Sequence, residues 1–326
     1  MEFRTIIKYL NGREKISHSH RIMLLGSCFS DNIGSRMHNA FMQVEINPFG
    51  TVYNPFSILN EIDRIISSQP ISEEELFQAN GMWNHFGFHS AFSHSKLEDS
   101  LMTMNNQLNA AHVYLAQSDI VIITLGTAFI YEHKASKLIV SNCHKLPANE
   151  FNRRLLDIDE VLSCLDKIVK KIIEYNPKVR IIFTISPIRH IADGLEQNQM
   201  SKSTLRVAVG KTVANHPKTC EYFPAYEIMM DDLRDYRFYA SDMVHPSDVA
   251  VDYIWNKFKE TYFDEKTSAV ISRCEKTAKR LAHRPMTDNP EAIARFNNDT
   301  ASIITGLITE YPYLQEHSLL KRFIAS

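Results

Sequence analysis

The chain has 326 residues, 44% of them hydrophobic and 23% charged, which fits one large globular domain or a domain with an extension. Its formal net charge of −2 offers no field to gather nucleic acid or an anionic membrane surface, so neither is expected as a partner. No stretch approaches the roughly 18–20 apolar residues that span a bilayer, the segment Met1–Thr5 has no apolar signal core, and the five cysteines are irregularly spaced without a Cys-x-x-Cys pair, so the chain reads as cytoplasmic with reduced thiols.

The first strand-like run is Ile22–Leu25. It runs into Gly26-Ser27-Cys28-Phe29-Ser30 and then Asp31–Gly34, the pattern of strand, sharp turn and helix. Such a turn puts a hydroxyl or thiol at the carboxyl end of a parallel sheet, where open α/β folds bind ligands. A second strand is expected at Gln43–Ile46, ending at Asn47-Pro48-Phe49-Gly50, and a helix over Pro55–Ser67. Asn80–Ser90 is aromatic and histidine-rich with two glycines; it reads as a loop over the sheet edge. Trp83, His85 and His89 in it either line a substrate cleft, with Trp83 stacking on a sugar ring, or form an aromatic minicore.

A helix is expected over Lys96–Gln117, followed by Ile120–Leu125, a near-continuous β-branched run of the kind buried on both faces of a parallel sheet. Asp157–Tyr175 carries an apolar stripe at helical spacing and leads to the strand Arg180–Ile185, halted by Ser186-Pro187. Arg189 and His190 lie just beyond, on the same rim as the turn after the first strand. Arg189 there either grips a substrate carboxylate or phosphate or pairs with an acid such as Asp193. Helices over Gln197–His216 and Ser247–Tyr262 complete the alternation, which predicts a doubly wound α/β sheet with helices on both faces. Beyond about residue 263 the pattern changes to charged helix, broken at Arg284-Pro285 and Asn289-Pro290 and apolar again at Ile303–Ile308. This divides the chain into 1–263, the catalytic domain, and 264–326, a helical extension packed on it. The apolar helix of the extension needs a covering surface, and self-association through it is one way to supply that.

Chemistry concentrates in two places. Ser27 and Cys28 are both nucleophiles that need a base, because a free hydroxyl is not ionised near neutrality and a free thiol only slightly. The structural alternative is a tight turn with Ser27 as helix cap and Cys28 as a small buried hydrophobe. Far downstream, Asp242-Met243-Val244-His245-Pro246 spaces a carboxylate three residues before an imidazole. The carboxylate can accept the ring's Nδ1–H, fix the tautomer and leave Nε2 to serve the nucleophile. The alternative is a surface turn in which Asp242 caps the following helix. The histidines have no His-x-x-x-His or His-Glu-x-x-His spacing and no glycine-rich phosphate loop occurs, so neither a metal nor a cofactor is predicted.

Taken in order, Gly26–Ser30, Asn47–Pro55, Leu125–Ala128, Ser186–His190 and Asp242–Pro246 resemble the GSCFA domain family, a branch of the SGNH/GDSL-type hydrolase superfamily, over about residues 2–260. The resemblance implies a flavodoxin-like three-layer α/β/α sandwich and esterase or acyl-transfer chemistry, with Asp242 and His245 as partners of the nucleophile. A gap-free overlay on the superfamily's Gly-Asp-Ser motif puts Cys28 at the nucleophile; a turn rebuilt by one residue puts Ser27 there. The superfamily's oxyanion hole uses the nucleophile's N–H, a glycine matched by Gly50, and an asparagine where this chain has Ala128. Thr127, Asn54 and His144 are the candidate substitutes, and His144, with Arg189, His190 and Trp83, is a candidate for binding substrate. The function expected is removal of a small acyl group, such as acetyl, from a small-molecule or carbohydrate ester through a covalent acyl-enzyme. The alternatives are an acyltransferase using a thioester donor, or a non-catalytic domain that binds a glycan or protein.

Overall fold

The computed structural model describes residues 5–7, 14–283 and 286–324. The sequence features at Met1–Arg4 and the expected break at Arg284-Pro285 lie outside the described residues. In chain order the elements begin with β1 (Arg21–Gly26), α1 (Cys28–Asn39), β2 (Gln43–Ile46), α2 (Pro55–Ser67), β3 (Phe77–Ala79), β4 (Met82–Asn84), α3 (Leu97–Ala116) and β5 (Ile120–Leu125). They continue with β6 (Phe129–His133), β7 (Ile139–Val140), β8 (Phe151–Leu155), α4 (Ile158–Tyr175), β9 (Arg180–Ile185), α5 (Gly194–Asn215) and β10 (Cys220–Phe223). The last are the single turn α6 (Ala225–Glu227), α7 (Asp248–Tyr262), α8 (Glu265–Ala282), α9 (Pro290–Glu310) and α10 (Ser318–Ile324). Among the described residues no helix is long and apolar enough to cross a membrane.

The main sheet has the order β10-β9-β5-β1-β2, with β1, β5, β9 and β10 paired in parallel. Counted along this sheet alone, that order is 2-1-3-4-5, the flavodoxin-like winding that the family resemblance implies. Side chains alternate across each strand. Met23, Leu25, Val121, Ile123, Leu125, Ile181, Phe183 and Ile185 join one core cluster with residues of α2, α3, α4 and α5. Their alternates Ile22, Leu24, Ile120, Ile122 and Ile182 point the other way and are equally buried. Burial on both faces is what the uninterrupted apolar runs demand, and it makes the sheet the middle layer of a three-layer sandwich.

Local signals set the helix boundaries. Asn54 caps α2 by accepting the Ser57 N–H at 2.9 Å, and Pro55 opens the helix. Asp157 and Glu160 form a capping box at the start of α4, whose buried stripe runs through Val161, Leu165, Ile168 and Ile172. Three small elements differ from the sequence expectation. Asn80–Ser90 contains half of a hairpin, β3–β4, closed by Asn80 and Gly81 at φ 54° and 74°. Asn-Gly is the preferred two-residue hairpin turn because both positions need positive φ. The strands β6, β7 and β8 form an antiparallel sheet of order β7-β6-β8, and β10 adds a short edge strand.

The chain divides into two compact units. The first contains 21–34 and 45–254, and with them every candidate site residue. The second draws on described residues within 9–20, 35–44 and 255–326. It is therefore discontinuous in sequence and larger than the tail expected beyond residue 263. Its core joins Phe41 to Val270, Cys274, Ile304, Leu307, Leu314 and Leu320, so the apolar stripe of α9 is covered within its own chain. His18 is buried in this unit with Nε2 at 2.8 Å from Ala40 O and Nδ1 at 3.0 Å from Tyr313 Oη.

Candidate active site

The site is built where the carboxyl ends of β1, β5 and β9 converge, at the switch point of the winding. Gly26 ends β1 at φ 131°, with a Cβ position only 2.1 Å from Thr124 O of the neighbouring strand, so only glycine fits. The next two residues part company. Ser27 is completely buried, its N–H donates to Thr124 O, and its Oγ accepts the Phe29 N–H at 3.3 Å. It is the helix cap. Cys28, first residue of α1, remains partly exposed. Burial pushes the Cys28 thiol up and the nearby Asp31 carboxylate adds to it; the N–H groups of Cys28 and Phe29 and the Lys202 cation pull it back only in part. Such a thiol is protonated at neutral pH and needs a base before it can attack.

Asn47 ties the next turn to this one. Its Oδ1 accepts the Gly26 N–H at 2.8 Å and its Nδ2 donates to Asp31 Oδ1 at 2.7 Å. The turn closes with Gly50 N–H on Asn47 O at 2.7 Å. Gly50 sits at φ 94° against His89, whose Cβ lies 2.2 Å from where a Gly50 Cβ would stand. After β5, the N–H groups of Gly126 and Thr127 both donate to Tyr53 O, at 2.8 and 2.9 Å. Beneath them Lys202 of α5 is 1% exposed, with Nζ at 2.7 Å from both Gly126 O and Ser186 O. Burial, with the Arg189 cation adding to it, pushes its pKa down to about 7. Lys202 thus fastens the β5 exit to the β9 exit.

His245 and Asp242 form the pair that their spacing predicts. His245 Nδ1 is 2.6 Å from Asp242 Oδ2, and Asp242 Oδ1 accepts the N–H groups of Val244 and His245 at 3.0 and 2.9 Å. Those N–H bonds, and the His245 ring, hold the Asp242 carboxyl down to about 2. The hairpin-like loop is fixed by Ala240 N–H on His245 O and by Arg189 N–H on Val244 O. Both side chains are about half exposed, so the ring is free to meet a ligand.

The other predicted site residues separate into two groups. Arg189 and His190 stand on this rim. Arg189 donates from Nε to Asn198 Oδ1 at 2.8 Å, and Asp193, the acid weighed as one alternative for it, pairs with Arg153. Among the described residues no carboxylate neutralises Arg189. His190 meets Tyr53 edge-on, with ring centroids 5.9 Å apart. Burial, reinforced by the charges of Lys202, His245 and Arg153, holds its pKa to about 4.

Asn54, Thr127 and His144 are held in structural contacts, and Trp83 stands half-buried in the hairpin. Asn54 is buried and spends both amide atoms on Ser57. Thr127 Oγ1 pairs with Ser201 Oγ at 3.0 Å and accepts the Phe129 N–H. His144 is buried with Nε2 at 2.9 Å from His85 O and Nδ1 at 3.2 Å from Ser90 Oγ, leaving no nitrogen for a ligand. Trp83 packs against the main core, and its N–H and the His94 carbonyl join the hairpin to the following loop. A buried amide or ring whose polar atoms are all matched is positioned by folding rather than for binding.

Lys202, Asn47 and Tyr53 escaped the sequence reading. The signal for Lys202 was there: in α5 it shares the buried face with Asn198, Ser201, Leu205 and Val209, a cation on a stripe that otherwise faces the core.

Residues 21–258 match the GSCFA family. No curated protein sequence matches the chain. Among solved structures, the acetyl xylan esterase Est2A from Butyrivibrio proteoclasticus is 12% identical with a TM-score of 0.40, over 74% of this chain and 63% of its own. A carbohydrate esterase family 3 protein from Talaromyces cellulolyticus is 12% identical with a TM-score of 0.34, over 78% of this chain and 98% of its own. A carbohydrate esterase family 2 enzyme from Corynascus thermopiles is 10% identical with a TM-score of 0.37, over 82% and 69%.

Proposed function

The chain belongs to the GSCFA family, and on that premise we propose that it is an ester hydrolase working through an acyl-enzyme on Cys28. The observation that carries this reading is the 2.6 Å contact of His245 Nδ1 with Asp242 Oδ2. A carboxylate on Nδ1 keeps the proton there and leaves Nε2 as the basic nitrogen. His245 takes the Cys28 proton as sulfur bonds to the ester carbonyl, then returns it to the departing alkoxide. Water, deprotonated by the same ring, attacks the thioester and regenerates the thiol with release of the acid. Cys28 is preferred to Ser27 because Ser27 is sealed from solvent and used as the cap.

The acyl group is small, with acetyl the simplest case, and the alcohol portion is a small molecule or a sugar. Arg189, a cation bonded only to the neutral groups of Asn198 and Met230 among the described residues, favours an anionic group somewhere on that substrate. A thiol nucleophile also exchanges readily with thioesters, so acyl transfer from a thioester to an alcohol uses the same residues. Faster turnover on adding a sugar or simple alcohol to a fixed acyl donor marks transfer; unchanged turnover marks hydrolysis.

The test is exposure to p-nitrophenyl acetate, an acid quench and peptide mass mapping, with His245→Ala alongside. Acetyl on Cys28, dependent on His245 and removed by neutral hydroxylamine, is the expected result. Acetyl on Ser27, or no His245-dependent adduct with no ester turnover, overturns it.

A further inference from the structure

An oxyanion formed at Cys28 needs hydrogen-bond donors, and several donors around the turn are already spent. Among the described residues, Ser27 N–H is on Thr124 O and Gly50 N–H on Asn47 O. The N–H groups of Gly126 and Thr127 are on Tyr53 O, and Ala128 N–H is on Ser201 Oγ at 2.7 Å. The amide of Asn54 is on Ser57, and the hydroxyl of Tyr53 faces Thr51 Oγ1 at 3.5 Å. Arg189 is turned toward Asn198 and Met230. The N–H of Cys28 itself is a donor that the turn leaves for it, and one donor cannot hold a full negative charge well. Among the described residues, two buried side-chain atoms near the end of β9 have no hydrogen-bond partner: Thr184 Oγ1 within the strand, and, beyond it on the rim, His190 Nε2, which donates in its Nε2–H tautomer. Its ring lies edge-on to Tyr53, whose carbonyl anchors the β5 exit, and its neighbour Arg189 is bonded to the loop that carries His245.

We infer that His190 supplies the second oxyanion donor, presenting Nε2–H to the carbonyl oxygen of the substrate acylated onto Cys28; this rests on the acyl-enzyme reading above. A buried polar atom left unmatched costs stability, and a developing oxyanion is the acceptor that would match it. The ring is suited to the task because it stays neutral throughout the physiological range, so it donates a hydrogen bond without surrendering a proton and without competing with His245 as base. This also explains how the site operates with Ala128 where a side-chain donor would otherwise stand.

The experiment measures the rate of Cys28 acetylation by p-nitrophenyl acetate, with saturation kinetics, in wild type, His190→Phe and His190→Gln. Phenylalanine keeps the ring volume against Tyr53 and removes the donor; glutamine places an amide N–H near the former Nε2. Expected are a loss of roughly 100- to 1,000-fold in the acylation rate constant for His190→Phe, with KM within about 3-fold. His190→Gln should recover at least about 10-fold of that loss, which a packing role would not produce. Acylation of His190→Phe at the wild-type rate, or equal failure of Phe and Gln with a folded protein by circular dichroism, overturns the inference. Absence of His245-dependent acylation in wild type overturns the parent reading and this inference with it, so the two failures are told apart by the wild-type reaction alone.

Discussion

Glu61 Oε1 accepts the Phe49 N–H at 3.3 Å, so a carboxyl on the buried face of α2 holds the turn that ends at Gly50. Glu61 is 3% exposed, and among the described residues its other oxygen has no partner. Burial therefore pushes its pKa up to about 8, against an ordinary value of 4.5. Between those values the folded state binds a proton that the unfolded state has lost.

The consequence is a stability that is fully present below pH 4.5 and falls as pH rises toward 8. The displacement corresponds to roughly 3–5 kcal/mol. Glu61→Gln keeps an acceptor for Phe49 and removes the titration. Urea unfolding from pH 4.5 to 8.5 should show wild type losing stability relative to Glu61→Gln across that range; parallel curves would show that Glu61 is not the group responsible.

Asp242→Asn separates orientation from loop structure. Asparagine Oδ1 can still accept the Val244 and His245 N–H groups, so the loop and the melting temperature should hold. Its amide then faces Nδ1 as a donor and forces the proton to Nε2, the wrong tautomer for a base. Ester turnover should fall by about 100- to 10,000-fold with little change in KM. A fall below about 3-fold would mean that the pairing does not set the tautomer.

Lys202 is a fastening between two strand ends, and a neutral amine has two N–H groups for its two carbonyls. Lys202→Met keeps the buried stem and orphans both carbonyls, at about 1–3 kcal/mol each. The pH dependence has its own sign. With its pKa lowered to about 7 from 10.5, the unfolded chain binds the extra proton between those values, so wild-type stability from this group rises with pH there. The deficit of Lys202→Met should therefore widen from pH 7 to pH 10, as read by chemical denaturation. A deficit constant with pH would assign the lysine a packing role only.

Gly26→Ala probes the turn itself. The added methyl meets Thr124 O at 2.1 Å, and the backbone is held at φ 131°. Relief requires β1 and β5 to separate, at a cost of about 3 kcal/mol or more. Circular dichroism melts should show that loss, and Cys28 reactivity toward a thiol reagent should change with it. A variant with wild-type stability would contradict the close approach of the two strands.

The sheet was legible from the sequence because its strands are buried on both faces. Ile120–Leu125 and Arg180–Ile185 have no polar side to confuse the period, and the observed strands begin and end at those residues. The hairpin at Asn80-Gly81 was written in the chain as well, in the dipeptide that tolerates two positive φ values, but the surrounding aromatics masked it. Strands β6 to β8 were hidden for a different reason: only part of their surface is buried, so their side chains carry a weak alternation. The division into units escaped because residues 35–44 join a core with α8, α9 and α10, far away in sequence.

For the site, sequence alone determined the local pieces. Asp242 and His245 are three residues apart, and that spacing suffices for a carboxylate to reach the ring. Which donors are free and which are spent was decided only by tertiary structure. Thr127, Asn54 and His144 have suitable chemistry, yet each is consumed by a partner that folding brings to it: Ser201, Ser57 and the His85 carbonyl. Ser27 and Cys28 are adjacent and both nucleophilic. The turn seals one and leaves the other in reach of solvent, because hydrogen bonding and burial depend on neighbours that sequence order does not name.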